Sequence, residues 1–111
     1  MSSFPQSEQN NKQQEETNQN HPHRHLSRAN KVNKLRELLN NGECNMMPCV
    51  YDGHSAKLVE EAGFPLTLMT GFGVSATYGV PDTQLISAAE MYHNASVIAG
   101  CLKSIPCIGD G

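Results

Sequence analysis

Residues 46–73 read MMPCVYDGHSAKLVEEAGFPLTLMTGFG, and this stretch decides the fold. The run Met46-Met47-Pro48-Cys49-Val50 is short and apolar, as a buried strand requires. Asp52 stands where a helix N-cap belongs, ahead of a helix from Gly53 to Glu61 with Ala56, Leu58, Val59 and Ala62 as its apolar positions. Gly63 ends that helix, and Leu66-Thr67-Leu68-Met69 is a second apolar strand. Strand, helix and strand in direct succession form a βαβ unit, whose strands lie parallel with a right-handed crossover.

The same rhythm continues on both sides. Upstream, Val32, Leu35, Leu38 and Leu39 fall at helical spacing, and Asn41-Gly42 supplies the stop. Downstream, Thr70 to Ile86 reads as a long Gly-rich loop. Ser87-Ala88-Ala89-Glu90 is a capping box that opens a third helix, with Met91, Ala95, Ile98, Ala99 and Leu102 as its core stripe. Ile105-Pro106-Cys107-Ile108 is a third strand. A helix followed by β-α-β-α-β specifies an α/β fold with a parallel sheet.

Composition narrows the function. The chain has 111 residues, with Lys+Arg 8 against Asp+Glu 11 and a net charge of −3. This excludes electrostatic attraction to nucleic acid or an anionic membrane. Trp is absent, and Phe 3 with Tyr 3 leaves little for base stacking. No window approaches the ~20 apolar residues of a membrane span. The four cysteines, Cys44, Cys49, Cys101 and Cys107, are too sparse for a disulfide scaffold and poorly spaced for a zinc site. They read as small buried hydrophobes. Asn94-Ala95-Ser96 falls mid-helix and is discounted as a glycosylation acceptor.

The mean hydropathy of −0.46 belongs largely to the N-terminal residues. After Phe4 no aliphatic or aromatic residue occurs until Leu26. Residues 1–27 are therefore expected to be a disordered Gln/Asn-rich tail, and 28–111 the folded part. The tail has no apolar h-region, and Glu8, Glu15 and Glu16 argue against a transit peptide, so a cytoplasmic location is expected. His21, His23 and His25 read as part of a polar tract, since nothing orders them around a metal.

In parallel α/β sheets ligands bind beyond the carboxyl ends of the strands. That edge collects Tyr51 and Asp52, then Thr70-Gly71-Phe72-Gly73, then Asp82, and finally Asp110. Capping alone explains Asp52. Asp82, between Pro81 and Thr83, also fits ordinary turn chemistry. Asp110 directly follows an apolar strand. Grouped carboxylates suit a hard cation such as Mg²⁺. Gly71 and Gly73 could let backbone N–H groups approach an anion, although the dinucleotide pattern G-x-G-x-x-G fails at Ala76.

Five segments carry a family resemblance: Leu35-Arg36-Glu37-Leu38-Leu39, the run from Tyr51 to Phe64, Met69 to Ala76, Gly79 to Thr83, and Ser104 to Gly111. In this order they resemble the start of the isocitrate lyase and phosphoenolpyruvate mutase superfamily, most of all its carboxyvinyl-carboxyphosphonate phosphorylmutase-like branch. The resemblance implies the N-terminal portion, about three β/α units, of a (β/α)₈ barrel. It implies an enzyme that uses Mg²⁺ or Mn²⁺ and makes or breaks a C–C or P–C bond next to a carboxylate. The substrate class would be a small 2-oxo or 2-hydroxy acid, reacting through a metal-stabilised enolate. Thr70, Gly71 and Phe72 would hold the substrate carboxylate, Asp82 would act as base or nucleophile, and Asp110 would be the first Asp of a D-x-D-T-G-Y-G metal motif.

There are departures from the family pattern. Leu68 stands where many members carry an aromatic residue, and His54 and Gly109 are unusual at their positions. Pro81 and Thr83 fit the C–C lyase and carboxyphosphonate branches better than the phosphonate-forming mutases. A barrel of this kind needs ~250 residues to close. The chain alone is therefore expected to be inactive, with the full-length form a homo-oligomer. Met47, Leu68 and Ile108 should lie unpacked on the inner face of the sheet. The alternative is a non-enzymatic truncated paralogue or interaction fragment.

Overall fold

The computed structural model describes residues 25–82 and 85–110. The expected tail, up to residue 24, lies outside the described residues, as do Thr83, Gln84 and Gly111. The elements run α1 (Arg28–Asn40), β1 (Cys49–Val50), α2 (Gly53–Glu61), β2 (Thr67–Met69), α3 (Gly71–Thr77), α4 (Ala88–Cys101) and β3 (Cys107–Gly109). No helix among the described residues is long and apolar enough to cross a membrane.

The three strands pair parallel in the order β1-β2-β3, with Cys49 opposite Leu68 and Leu68 opposite Ile108. This is the expected parallel α/β sheet. The strands are shorter than the apolar runs that mark them, because Met46, Met47, Leu66 and Ile105 precede the hydrogen-bonded ladder.

Successive strand residues point to opposite faces, so the register defines two surfaces. On one face Val50, Thr67 and Met69 are buried beneath the helices, with Ala56, Val74, Ile98, Leu102 and Ile105 completing the core. Burying a side chain such as Ile98 or Leu102 stabilises the fold by about 1.5–3 kcal/mol. The polar Thr67 joins this core because its hydroxyl donates to the Pro48 carbonyl at 2.7 Å. On the other face Cys49 is exposed, and Leu68 and Ile108 are half-buried. Met47 is exposed as well. Of the three residues expected to lie unpacked there, Met47 does so, whereas Leu68 and Ile108 are partly covered.

Local chemistry explains where each helix begins. Asp52 caps α2, and Ser87 and Glu90 form a capping box at α4, as the sequence suggests; at α2 Ser55 completes a second capping box with Asp52. Ser27 caps α1 by accepting from Asn30 N–H at 3.3 Å. The core stripes are narrower than their sequence period. Leu58 is 52% exposed, Ala99 is exposed, and no residue of α1 is buried. Each helix meets only a neighbour or two, so part of each apolar stripe faces solvent.

The turn between α4 and β3 is tied down from three directions. Lys31 Nζ donates to the Leu102 carbonyl at 2.6 Å, and Leu26 N–H donates to the Lys103 carbonyl at 2.7 Å. Glu60 accepts from the backbone N–H groups of Lys103, Ser104 and Ile105 and from the Ser104 hydroxyl. Burial alone would raise the Glu60 pKa, but these donors outweigh it and hold the carboxyl below its ordinary range. The turn sets where β3 starts, and so where Asp110 emerges.

Two sequence expectations are corrected. The segment after Met69 is not loop throughout, because Gly71–Thr77 forms α3. Of the four cysteines, Cys44 and Cys49 are exposed, and Cys101 and Cys107 are only partly buried. Cys49 is exposed because it faces away from the helices.

Candidate functional site

The carboxyl edge of the sheet is extended by one hydrogen bond on each side of β2. Thr70 N–H donates to the Val50 carbonyl at 3.0 Å, and Asp110 N–H donates to the Met69 carbonyl at 3.1 Å. These bonds bring Thr70 and Asp110 side by side, although they stand 40 positions apart in the chain. Thr70 then turns the chain into α3, its hydroxyl accepting from Gly73 N–H at 3.3 Å. Close approach accounts for the two glycines in this helix. A Cβ on Gly73 would meet Thr70 Cγ2 at 2.5 Å and Tyr51 Cβ at 2.9 Å. A Cβ on Gly71 would meet Asp110 Oδ2 at 2.9 Å and Asp82 Oδ1 at 3.8 Å.

Gly71 is therefore the point on which the two acids converge. Its N–H donates to Asp110 Oδ2 at 3.2 Å. Asp82 reaches it from a turn that follows α3. The Ser75 carbonyl accepts from Tyr78 N–H at 3.0 Å and from Val80 N–H at 3.2 Å, and Gly79 adopts φ +71°. That left-handed residue reverses the chain and brings Pro81-Asp82 back over the start of α3.

Between these groups and α4 lies a cavity of about 570 Å³. Its polar wall is Asp82, Asp110, Gly71 and Ser75, and its apolar wall includes Ile86 and Met91. Of the sequence candidates, Gly71, Asp82 and Asp110 line this cavity. Thr70 caps α3 beside it, and Phe72 is 66% exposed on the first turn of the helix. Asp52 takes no part. Its carboxylate accepts from Ser55 N–H at 2.7 Å, and this bond, with the Ser55 hydroxyl, holds its pKa below the ordinary value. Ser75, also in this wall, is not among the sequence candidates. It stands one helical turn after Gly71, a spacing that becomes visible only once α3 is recognised as a helix.

Asp82 and Asp110 offer hard oxygen donors, which fit Mg²⁺ or Mn²⁺. Mg²⁺ commonly takes one or two carboxylates and keeps several waters. Among the described residues no group of three or more His, Cys, Asp or Glu side chains comes together.

Comparison with known proteins agrees with this reading of the fold. The phosphoenolpyruvate phosphomutase family model matches residues 35–111, and the chain belongs to that family. A 2,3-dimethylmalate lyase of Eubacterium barkeri is 35% identical over 82 residues, which is 73% of this chain and 28% of the relative. The chloroplastic carboxyvinyl-carboxyphosphonate phosphorylmutase of Arabidopsis thaliana is 35% identical over 66 residues, 59% of this chain and 20% of the relative. The structure of a phosphonopyruvate hydrolase complexed with oxalate and Mg²⁺ superimposes with a TM-score of 0.68 at 35% identity, over 72% of this chain and 28% of that one. The chain thus spans about a quarter of the length of the relatives it matches. It is a partial α/β unit of a TIM-barrel superfamily whose members are lyases and mutases.

Proposed function

We propose that this chain carries the first part of the active site of a Mg²⁺-dependent lyase or mutase, with Mn²⁺ as a substitute. The reaction would make or break a C–C or P–C bond next to the carboxylate of a small 2-oxo or 2-hydroxy acid. The observation that supports this most is the convergence of Asp82 and Asp110 on Gly71 at the carboxyl edge of the sheet.

Asp110, steadied by the Gly71 N–H, and Asp82 would hold the cation directly or through water. A bound divalent cation would supply positive charge to stabilise the negative charge that develops on a substrate oxygen. Thr70, Gly71 and Phe72 would receive the substrate carboxylate on the first turn of α3, and the capping bond from Thr70 would fix that turn. Asp82 would act as base or nucleophile from the mouth of the cavity. The apolar wall would exclude water from the reacting centre.

Turnover would need the further strands of a complete barrel. A second reading is a non-enzymatic truncated paralogue or interaction fragment. Calorimetric titration of the chain with Mg²⁺ and oxalate separates the two. Saturable, Mg²⁺-dependent oxalate binding that Asp110→Asn abolishes supports the first reading. Absence of binding supports the second.

A further inference from the structure

Ser75 is a buried polar residue, 5% exposed, in the wall of the cavity that Asp82 and Asp110 share. Hydroxyls in a helix ordinarily fold back on a carbonyl one turn earlier. Thr77 does so on the Val74 carbonyl at 2.6 Å, and Ser96 on the Tyr92 carbonyl at 2.9 Å. The Ser75 hydroxyl makes no such bond among the described residues, and it bonds to neither Asp82 nor Asp110. Nor is it sealed away, since no buried side-chain oxygen among the described residues lacks a partner. The hydroxyl is therefore accessible from the cavity. A hydroxyl that is accessible and makes no intramolecular bond among the described residues is free to bond a molecule held in the cavity.

The two carboxylates in this wall can only accept hydrogen bonds when ionised, and Asp110 already occupies the Gly71 N–H. A carboxylate ligand beside them needs donors as well as a cation. We infer that Ser75 is a ligand-contact residue of the cavity, its hydroxyl donating a hydrogen bond to a carboxylate oxygen of a small dicarboxylate or 2-oxo acid. The assignment rests on the functional reading given above and adds to it a residue one helical turn deeper than the Thr70-Gly71-Phe72 segment. The contact involves no covalent step.

The test is a calorimetric titration of the full chain with Mg²⁺ alone, and with oxalate at saturating Mg²⁺, for the wild type and for Ser75→Ala. Alanine is small and helix-favouring, so the variant should melt at or above the wild-type temperature. The expected result is oxalate affinity lowered about tenfold, as for loss of one hydrogen bond to a charged group, with Mg²⁺ affinity unchanged. Ser75→Thr, which keeps a hydroxyl, should retain more of the affinity than Ser75→Ala. Equal oxalate affinity for wild type and Ser75→Ala overturns the assignment while leaving the functional reading intact. Absence of oxalate binding by the wild type overturns the functional reading, and this assignment with it.

Discussion

Asp110 Oδ2 lies 3.2 Å from the Gly71 amide nitrogen and accepts its hydrogen bond, which joins the end of β3 to the start of α3. The bond depends on the missing side chain at Gly71. A Cβ there would stand 2.9 Å from the same oxygen, but that oxygen is the far end of a movable side chain. Gly71 is not among the residues with positive φ, so Gly71→Ala fits the backbone. The expected outcome separates stability from ligand binding. The helix should gain up to about 0.5–1 kcal/mol from the better helix former. The Asp110 carboxylate should be displaced and Mg²⁺ affinity should fall about tenfold or more. Thermal melting and calorimetric titration of one sample check both halves.

Gly73→Ala should behave in the opposite way. Its Cβ would collide with Thr70 Cγ2 and Tyr51 Cβ, atoms close to the backbone that cannot swing aside. The variant should lose about 1–3 kcal/mol, with part of the loss coming from a disturbed Thr70 cap. Urea denaturation measures it. Stability equal to wild type would mean that the start of α3 is looser than the structure has it.

These two glycines also mark what the sequence makes legible. The βαβ order, the Asp52 and Ser87 caps and the carboxyl edge holding Asp110 all follow from short-range patterns that a one-dimensional reading captures. Helix α3 does not, because Gly71 and Gly73 carry the signature of a loop. Their reason for being glycine is close approach to Asp110, Thr70 and Tyr51, a three-dimensional constraint. The Thr70 cap was the available signal, and reading it would have placed Ser75 on the same helix. The exposure of Cys49 depends on the sheet register, which no local pattern states.

Glu60 should control acid stability. Its carboxyl, ordinarily near 4.5, is held lower in the folded state by the N–H groups of Lys103, Ser104 and Ile105. A depressed folded pKa gives stability that is present above the unfolded value and lost as pH falls below it. Asp52 adds the same trend, beginning near 3.8. Urea midpoints should therefore be level near neutrality and decline from about pH 4.5 downward. Glu60→Ala should lose about 2 kcal/mol near neutrality and show a shallower acid decline. A decline as steep as wild type would assign the acid sensitivity to other groups.

The cysteines report on the two faces of the sheet. Cys49 is exposed on the face that Leu68 and Ile108 share, whereas Cys107 turns toward the helices and packs against the core. Burial pushes the Cys107 thiol up, and neither a Met69 backbone hydrogen bond nor the charge of Lys31 reverses the shift. The thiolate is the reactive form, so Cys107 should react slowly with a disulfide reagent at pH 8, and half-buried Cys101 should also lag. Cys44 and Cys49 should react quickly. They separate when concentration is raised. Cys49 shares an apolar surface with Met47, Leu68 and Ile108, and such a surface favours association. Association through that face should slow Cys49 while leaving Cys44 unchanged. Mass mapping of the modified thiols at two protein concentrations reads the difference. A Cys49 rate independent of concentration, together with a monomeric sedimentation profile, would show that the open face stays bare.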